Sequence, residues 1–375
     1  MRILELGKFY WPHRGGIETL LRAWCEGFAR RGAEVDCVVA NQGLRSAHET
    51  INAIRVHRLG TFGSCWSTSI CPTYLDSTRR YPADLWHAHF PNPLADLACL
   101  RGQPTTPLVL TYHSDVVRQA RSIRLYQPIL TRLLERATRI VVATPRHLEC
   151  SAWLPPYASK CAVIPFGIDL ARFEPTEPMR QRIGELRSAA GGRSILLTVG
   201  RLVGYKGQRY LIEAARDLDV IVWLVGTGPL ESELQTLARG LRLGSRVRFW
   251  GSVDDAELPA LLHACDVFVL PSITPNEAFG LVQLEAMACG RPVVSCALPS
   301  GVPFVNRNGV TGLVVPPADA AALTESLRRL LADPGWRGQL GAAGRARVEA
   351  EFAEGVMVER YWQLFTDLLR SARPA

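Results

Sequence analysis

Short apolar runs recur along the whole chain and are separated by stretches with the spacing of amphipathic helices. Each run has the length of a β-strand, and glycine, proline or charged residues bound it. Alternating strands and helices predict βα units around a parallel sheet, so two series of runs predict two α/β domains. The predicted strands are residues 3–6, 35–39, 84–87, 107–111, 139–143 and 162–164, then 195–199, 220–225, 246–249, 267–270, 292–295 and 312–315.

A polar segment separates the two series. After Ile168 and Asp169 the chain runs through the polar, proline-containing residues 172–192 before the next strand. Such a segment is typical of an interdomain linker, and 375 residues are enough for two domains. We therefore predict domains at residues 1–168 and 169–355, with a C-terminal helix over about 356–375 that packs back onto the first domain.

The positive charge is confined to the first half of the chain. Residues 1–168 carry 20 Lys and Arg against 12 Asp and Glu, whereas residues 169–375 carry 23 of each. The first half should therefore bind an anion, either a phosphate-bearing acceptor molecule or an anionic membrane surface. No nucleic-acid-binding signature accompanies the charge, so no nucleic-acid partner is expected.

Part of this charge lies in a stretch that also has apolar residues at helical spacing. Arg118, Arg121 and Arg124 would lie on neighbouring faces of a helix. A basic surface beside an apolar stripe fits a helix that rests on anionic lipid. It fits equally an ordinary core helix with a solvated basic face, and both interpretations stay open.

The remaining composition gives expectations about compartment and metals. No apolar run is long enough to span a membrane and no secretory signal is present, so we expect a cytoplasmic protein, or one peripheral on the inner face of the membrane. The ten cysteines have neither disulfide nor zinc-site spacing. We expect His87 and His89 to point to opposite faces of a strand, which makes joint ligation of a metal awkward. No metal site is predicted.

Two loops have the composition of anion-binding sites. Gly15 and Gly16 open a helical pattern, where backbone N–H groups could approach an anion. The segment from Gly200 to Gly207 follows a strand and contains Arg201 and Lys206, in a chain with only three lysines. A compact ammonium suits a diphosphate, although a tight turn in the first loop and an exposed cation in the second explain the same residues.

The most informative stretch runs from Pro271 to Val294. A strand ends at Leu270, a loop then delivers Glu277, and Gly280 precedes a helix that carries Glu285. Two carboxylates at this spacing could each accept hydrogen bonds from vicinal hydroxyls, one set on a sugar ring and one on a ribose. Two ordinary glutamates, one at a helix start and one in helix packing, would give the same pattern.

Taken with its flanks, this stretch resembles the signature of two glutamates separated by seven residues that marks the retaining glycosyltransferases of family 4. The resemblance covers nearly the whole chain. The other matching segments, in order, are Gly15–Glu18, Asp84–His89, Thr111–Asp115, Ile164–Asp169, Gly200–Gly207 and Gly309–Pro317. It implies the GT-B architecture, in which two Rossmann-like parallel-sheet domains face a central cleft, with an N-terminal acceptor-binding and a C-terminal donor-binding domain.

The resemblance also implies roles for individual residues. Arg201 and Lys206 would bind the diphosphate of a nucleotide sugar donor, and His113 would lie beside the reacting carbon. Glu277 would bind hydroxyls of the transferred hexose, and Glu285 the donor ribose. The remaining donor contacts would come from the backbone of Gly15, Gly16, Ala278, Phe279, Gly280 and Leu281. No metal or other cofactor is implied.

One segment departs from the family pattern. Many family members have Gly-Gly-x-Pro-Glu where this chain has Ser300-Gly301-Val302-Pro303-Phe304, so an acidic side chain is missing. The variant resembles enzymes of lipopolysaccharide and exopolysaccharide assembly that use GDP-mannose, which favours mannosyl transfer to a lipid-linked or polysaccharide-precursor acceptor. A nucleotide sugar epimerase of the same fold, or a catalytically silent binding protein, is the alternative.

Overall fold

The computed structural model describes residues 1–13, 15–65, 68–115 and 123–371, with residues 65, 68 and 123–125 described by their backbone alone. The chain divides into two compact units. Unit 1 comprises Met1–Gly167 together with Glu354–Ala375, and unit 2 comprises Ile168–Ala353. The division follows Gly167, one residue before the boundary that the sequence suggested.

Each unit is built on a parallel sheet. The strands of unit 1 are β1 (Arg2–Leu6), β2 (Glu34–Ala40), β3 (Ala47–Ile51), β4 (Ile54–Leu59), β5 (Ser64–Cys65), β6 (Thr68–Ser69), β7 (Leu85–Phe90), β8 (Leu108–Tyr112), β9 (Arg139–Val142) and β10 (Cys161–Val163). Those of unit 2 are β11 (Ser194–Val199), β12 (Val220–Val225), β13 (Val247–Gly251), β14 (Val267–Leu270), β15 (Val293–Cys296) and β16 (Gly312–Val315). The twelve predicted strands are therefore confirmed, to within a few residues at their ends.

Helices connect these strands. They are α1 (Gly16–Arg30), α2 (Ser77–Arg80), α3 (Pro93–Arg101), α4 (Ile123–Arg136), α5 (Pro145–Cys150), α6 (Glu177–Ala189), α7 (Gln208–Ala214), α8 (Glu231–Gly240), α9 (Glu257–Ala264), α10 (Leu281–Ala288), α11 (Val302–Val305), α12 (Ala320–Ala332), α13 (Pro334–Glu351) and α14 (Glu354–Ser371). Within the described residues, no helix combines the length and the apolar character that a membrane span requires.

The order of strands places the first strand of each unit in the middle of its sheet. In unit 1 the order is β10-β9-β8-β7-β1-β2-β4-β3, and in unit 2 it is β13-β12-β11-β14-β15-β16. Neighbouring strands of these two sheets are parallel except for β3, which runs antiparallel to β4, and β5 and β6 form a separate antiparallel pair. The central strands are buried on both faces by helices, and all six residues of β7 are buried. This explains why the strands read as continuous apolar runs.

The sequence analysis missed the hairpin of β3 and β4. Asn52 and Ala53 form its two-residue turn, and both have positive φ, as a tight hairpin turn requires. The turn lacks the usual Asn-Gly or Asp-Gly signal, and every residue of β3 except the partly buried Ile51 is exposed. An exposed polar edge strand has no apolar run that would reveal it.

The last helix returns to unit 1 and packs against α1. Gly27 of α1 leaves room for Val358 of α14, because a Cβ at Gly27 would lie only 2.6 Å from a methyl carbon of that valine. Ion pairs of Arg30 with Glu354 and of Arg31 with Glu359 flank the contact. Helix α14 thus completes unit 1, although it follows unit 2 in the chain.

Two glycines of α13 provide a test of the packing in unit 2. Gly341 is buried, and a Cβ added there would lie 2.1 Å from the carbonyl oxygen of Gly290. Gly338, three residues earlier, is exposed and has nothing within 4 Å of the same position. We expect Gly341→Ala to lower the free energy of unfolding by about 1–3 kcal/mol through overpacking. Gly338→Ala should raise it by about 0.5–1 kcal/mol, because alanine is the better helix former. Urea titration of both variants measures the difference, and equal effects would contradict the close packing of α13.

Candidate active site

Two loops of unit 2 meet at the carboxyl ends of the neighbouring parallel strands β11 and β14. The first contains the 3₁₀ turn Gly204–Lys206, and the second begins at Pro271. The backbone N–H of Ile273 donates a hydrogen bond to the carbonyl oxygen of Tyr205 at 2.8 Å. Gly207 has a φ of 66°, and a Cβ there would lie 2.0 Å from the carbonyl oxygen of Pro271. Only glycine therefore allows this approach of the two loops.

The contact brings two predicted site residues together. Lys206 Nζ lies 2.5 Å from Glu277 Oε2, and the two side chains are only 13% and 10% exposed. Ser272 Oγ donates a second hydrogen bond to the same carboxylate oxygen at 2.9 Å. The interpretation of Lys206 as an ordinary exposed loop cation is therefore wrong, since the lysine compensates a carboxylate that is largely removed from water.

Gly280 turns the chain from this loop into α10. It has a φ of 72°, in the left-handed region, and it caps the helix that starts at Leu281. A Cβ at this position would come within 2.8 Å of both the Gln283 amide and a Leu270 methyl carbon. The preceding residue Phe279 is buried, and the carbonyl oxygen of Ala278 accepts a hydrogen bond from Gly301 N at 2.7 Å. Backbone groups of the segment 278–281 are thus held at the start of a helix, where they can face an anion.

Glu285 lies on the same helix but in a different environment. Its carboxyl is influenced by Arg172 and Asp255, rather than by the pair of Lys206 and Glu277. Burial raises its pKa to about 7, although part of the side chain still reaches solvent. Among the described residues, no hydrogen bond to this carboxyl is recorded. Within the part of the chain that the structure describes, the charge of Arg172 therefore acts on this carboxyl without a hydrogen bond.

The other predicted donor-binding residues divide between the units. Arg201 is exposed in the loop after β11, and its carbonyl oxygen accepts a hydrogen bond from Gln208 Nε2 at 3.0 Å. In unit 1, Gly15 is the N-cap of α1 in an extended conformation, and Gly16 is the first residue of that helix. The predicted placement of paired glycines at a helix start is thus what the structure has.

His113 follows β8 in unit 1 and is largely buried, with 6% of its surface exposed. Its backbone N–H donates to the carbonyl oxygen of Phe90 at 3.0 Å, and its ring stacks on Phe166. Burial lowers its pKa to about 3, so the ring is neutral at physiological pH. Its Nε2 atom lies 3.3 Å from Nδ1 of His89.

The expectation for His87 and His89 is wrong. Residues two apart in a strand point to the same face, and both rings lie beside the buried Glu5 of β1. Nδ1 of His87 is 2.9 Å from Glu5 Oε1, and Nε2 of His89 is 3.1 Å from Glu5 Oε2. Three potential ligand atoms thus lie within 4.8 Å of one another. Hydrogen bonds link all three groups.

Sequence reasoning also missed Glu5. The signal was a single carboxylate inside the apolar run of Ile3, Leu4 and Leu6, because a charged residue in a strand buried on both faces needs a partner. The register of the sheet supplies that partner by setting Glu5 directly beside His87.

The predicted basic helix cannot be placed as a whole. Arg118 and Arg121 lie outside the described residues, and Arg124 is described only by its backbone in α4.

Comparisons with known proteins agree with this fold. The model of Glycosyltransferase Family 4 matches residues 14–172, and that of Glycosyl transferases group 1 matches residues 183–347. O-antigen chain mannosyltransferase C of Escherichia coli is 34% identical over 99% of this chain and 100% of its own. D-rhamnosyltransferase WbpZ of Pseudomonas aeruginosa is 34% identical over 94% and 92%. Sucrose-phosphate synthase of Thermosynechococcus elongatus has a TM-score of 0.81 at 27% identity, covering 99% of both chains.

The two parallel-sheet units, with a paired lysine and glutamate at a helix start, thus define a GT-B glycosyltransferase that takes a sugar from a nucleotide sugar. The chain belongs to glycosyltransferase family 4.

The ion pair in unit 2 changes what is expected of Lys206. The sequence alone suggests that Lys206→Ala leaves the fold intact, whereas the structure predicts a loss of about 1–3 kcal/mol in the free energy of unfolding, because Glu277 loses its cation. The effect should largely disappear in a Glu277→Gln background. Arg209→Ala, which breaks the exposed pair with Glu213 on α7, is the control and should cost less than about 0.5 kcal/mol. Urea unfolding of all four variants gives the coupling energy, and equal losses for Lys206→Ala and Arg209→Ala would show that the buried pair is not formed.

Proposed function

We propose that this chain is a retaining mannosyltransferase that transfers mannose from GDP-mannose to a lipid-linked or polysaccharide-precursor acceptor, without a metal ion. The observation that carries the proposal is the pair of Lys206 and Glu277 at the start of α10, in the segment that resembles the family signature. The mannose assignment is supported by the full-length relative named an O-antigen chain mannosyltransferase and by the variant segment from Ser300 to Phe304.

The proposed chemistry assigns a task to each group. The acceptor hydroxyl attacks the anomeric carbon from the face that the diphosphate leaves, and the departing phosphate oxygen takes the hydroxyl proton. Lys206, Arg201 and the backbone N–H groups at the start of α10 stabilise the charge that develops on the diphosphate. Glu277 accepts hydrogen bonds from the mannose hydroxyls, and Glu285 accepts them from the ribose.

Unit 1 is the proposed acceptor-binding unit, with His113 beside the reacting carbon and Gly16 near the diphosphate. Residues 1–168 carry the whole net positive charge, which suits an acceptor that bears phosphate or is embedded in an anionic membrane surface. Attachment to the inner face of the membrane would be peripheral, and vesicles with and without anionic lipid distinguish it from binding of a soluble phosphate-bearing acceptor.

The test is turnover of GDP-mannose by purified protein. Glu277→Gln preserves the volume of the side chain but weakens its hydrogen bonds to sugar hydroxyls, so turnover should fall by about 100-fold or more. Glu213→Gln on α7 is the control and should keep wild-type turnover. GDP release measures the rate, and NMR of the product should show the anomeric configuration of the donor.

Three results would contradict parts of the proposal. Near-normal turnover by Glu277→Gln would remove this residue from the site. Turnover of GDP-D-rhamnose in preference to GDP-mannose would make the 6-deoxy sugar the substrate, as the name of the Pseudomonas aeruginosa relative suggests. Activity that is lost in excess chelator and restored by magnesium or manganese would show that a metal supplies the charge at the diphosphate.

The raised pKa of Glu285 predicts a pH dependence of donor binding. Ribose hydroxyls donate hydrogen bonds to the ionised carboxylate, so the proton must leave before the donor binds, and a pKa of about 7 puts that step near neutrality. We expect GDP-mannose to bind about 10-fold more weakly at pH 6 than at pH 8. Its diphosphate, esterified at both ends, does not itself titrate in this range.

Calorimetry of wild type and Glu285→Gln measures this dependence. The variant should bind GDP-mannose more weakly than wild type at pH 8. Its affinities at pH 6 and pH 8 should differ much less than those of wild type. An equal pH dependence in both proteins would show that Glu285 does not contact the donor.

A further inference from the structure

A continuous set of hydrogen bonds crosses the buried interior of unit 1 and ends at His113. We name it the Glu5 network, and its members are Glu5, His87, His89, Thr111, His113 and Tyr361. All six side chains are almost completely buried, and they come from β1, β7, the end of β8 and α14. The proposed function uses only His113 of this set.

The geometry of Glu5 fixes the direction of hydrogen bonds on both sides. An ionised carboxylate can only accept, so Nδ1 of His87 and Nε2 of His89 must each carry a hydrogen. A neutral imidazole has one N–H, which leaves Nε2 of His87 and Nδ1 of His89 as acceptors. Burial lowers the pKa of both rings to about 3, so both are neutral.

The two acceptors are satisfied by different neighbours. Thr111 Oγ1 lies 2.8 Å from His87 Nε2 and can donate to it, while the Tyr361 hydroxyl at 2.9 Å donates to Thr111. On the other side, Nδ1 of His89 accepts from Nε2 of His113 at 3.3 Å. His113 must then carry its proton on Nε2, and its Nδ1 becomes an acceptor.

Protonation of Glu5 changes the tautomer of His113 in only one of two arrangements. Burial raises the pKa of Glu5, and the hydrogen bond from His89 opposes that shift. A proton on Oε1 would reverse the bonds towards His87, Thr111 and Tyr361 but leave those of His89 and His113 unchanged. Only a proton on Oε2, which faces His89, would move the hydrogen of His113 to Nδ1.

We propose that Glu5 and His89 are positioning residues that hold the His113 ring with its proton on Nε2, so that Nδ1 presents a hydrogen-bond acceptor to a sugar hydroxyl. The effect of the His113 tautomer on catalysis rests on the proposed function, in which His113 lies beside the reacting carbon. The tautomer itself is a property of the free protein and does not depend on which sugar is transferred.

The direct test is NMR of the full-length protein labelled with ¹⁵N in its eight histidines, without nucleotide. Long-range ¹H–¹⁵N correlations distinguish a protonated Nε2 from a protonated Nδ1, and a His113→Gln variant assigns the signal. We expect wild-type His113 to be the Nε2–H tautomer. A Nδ1–H tautomer in the wild type overturns the proposal without any variant having to fold.

Variants then separate positioning from packing. His89→Phe keeps an aromatic ring against Trp24 but removes the acceptor, so His113 should lose its single tautomer. Turnover should fall by about 10-fold or more, as when the partner that fixes a histidine tautomer is removed. The dissociation constant for GDP, which lacks the sugar, should stay within about twofold, since most of the proposed contacts to diphosphate and ribose come from unit 2. His89→Asn, whose amide oxygen can replace Nδ1 as acceptor, should recover part of the turnover.

Tyr361→Phe is the matched control, because it removes a buried hydroxyl from the same network on the far side of Glu5. It should lower thermal stability and leave the tautomer of His113 unchanged. A His113 signal that stays the same in His89→Phe, or that changes equally in Tyr361→Phe, would overturn the proposal. So would a stoichiometric metal ion in wild-type protein that is lost in a Glu5→Gln variant, because the three groups would then be ligands.

Discussion

The order of strands reverses beside the first strand of each unit, and the placement of the candidate site residues depends on that reversal. In unit 2 the chain builds outwards from β11 through β12 on one side and through β14 on the other. The connections after the neighbouring strands β11 and β14 therefore depart in opposite directions and leave a crevice at the carboxyl ends of these two strands. Lys206 and Glu277 follow the two strands that flank this point, so residues 71 positions apart form an ion pair.

The same constraint acts in unit 1, where β1 lies between β2 and β7. In unit 1 the strand order brings together polar side chains that lie within the strands, as well as polar side chains in the loops that follow them. Glu5 and His87 are register partners on neighbouring strands, and His89, one pleat further on, points to the same face. A buried carboxylate is costly unless it is hydrogen-bonded, and the two histidines compensate Glu5 in this way. Compensation of Glu5 on β1 thus extends through His89 to His113, at the end of β8.

Much of the fold could be predicted because the central strands are buried on both faces. Continuous apolar runs then mark each strand, and the twelve predicted strands are present. The β3–β4 hairpin was not predicted because its edge strand β3 is polar and exposed. The site was less predictable, since local sequence does not reveal partners across a sheet. Glu277 and Lys206 were identified singly, but their ion pair requires strand order, and Glu5 became meaningful only when the register placed it beside His87.

The two glutamates of unit 2, Glu277 and Glu285, differ in their surroundings. Glu277 is already compensated by Lys206 and Ser272, so its oxygen atoms are fixed before a ligand arrives. A fixed, largely dehydrated pair costs little reorganisation during a reaction, which is the property that electrostatic catalysis requires. Among the residues that the structure describes, none donates such a hydrogen bond to Glu285, and burial holds its pKa near neutrality. A ligand that donates hydrogen bonds would stabilise the ionised carboxylate of Glu285, because those bonds replace the hydration that burial has removed. One carboxylate is therefore positioned in advance by its partners, and the other is stabilised by any ligand group that donates hydrogen bonds to it.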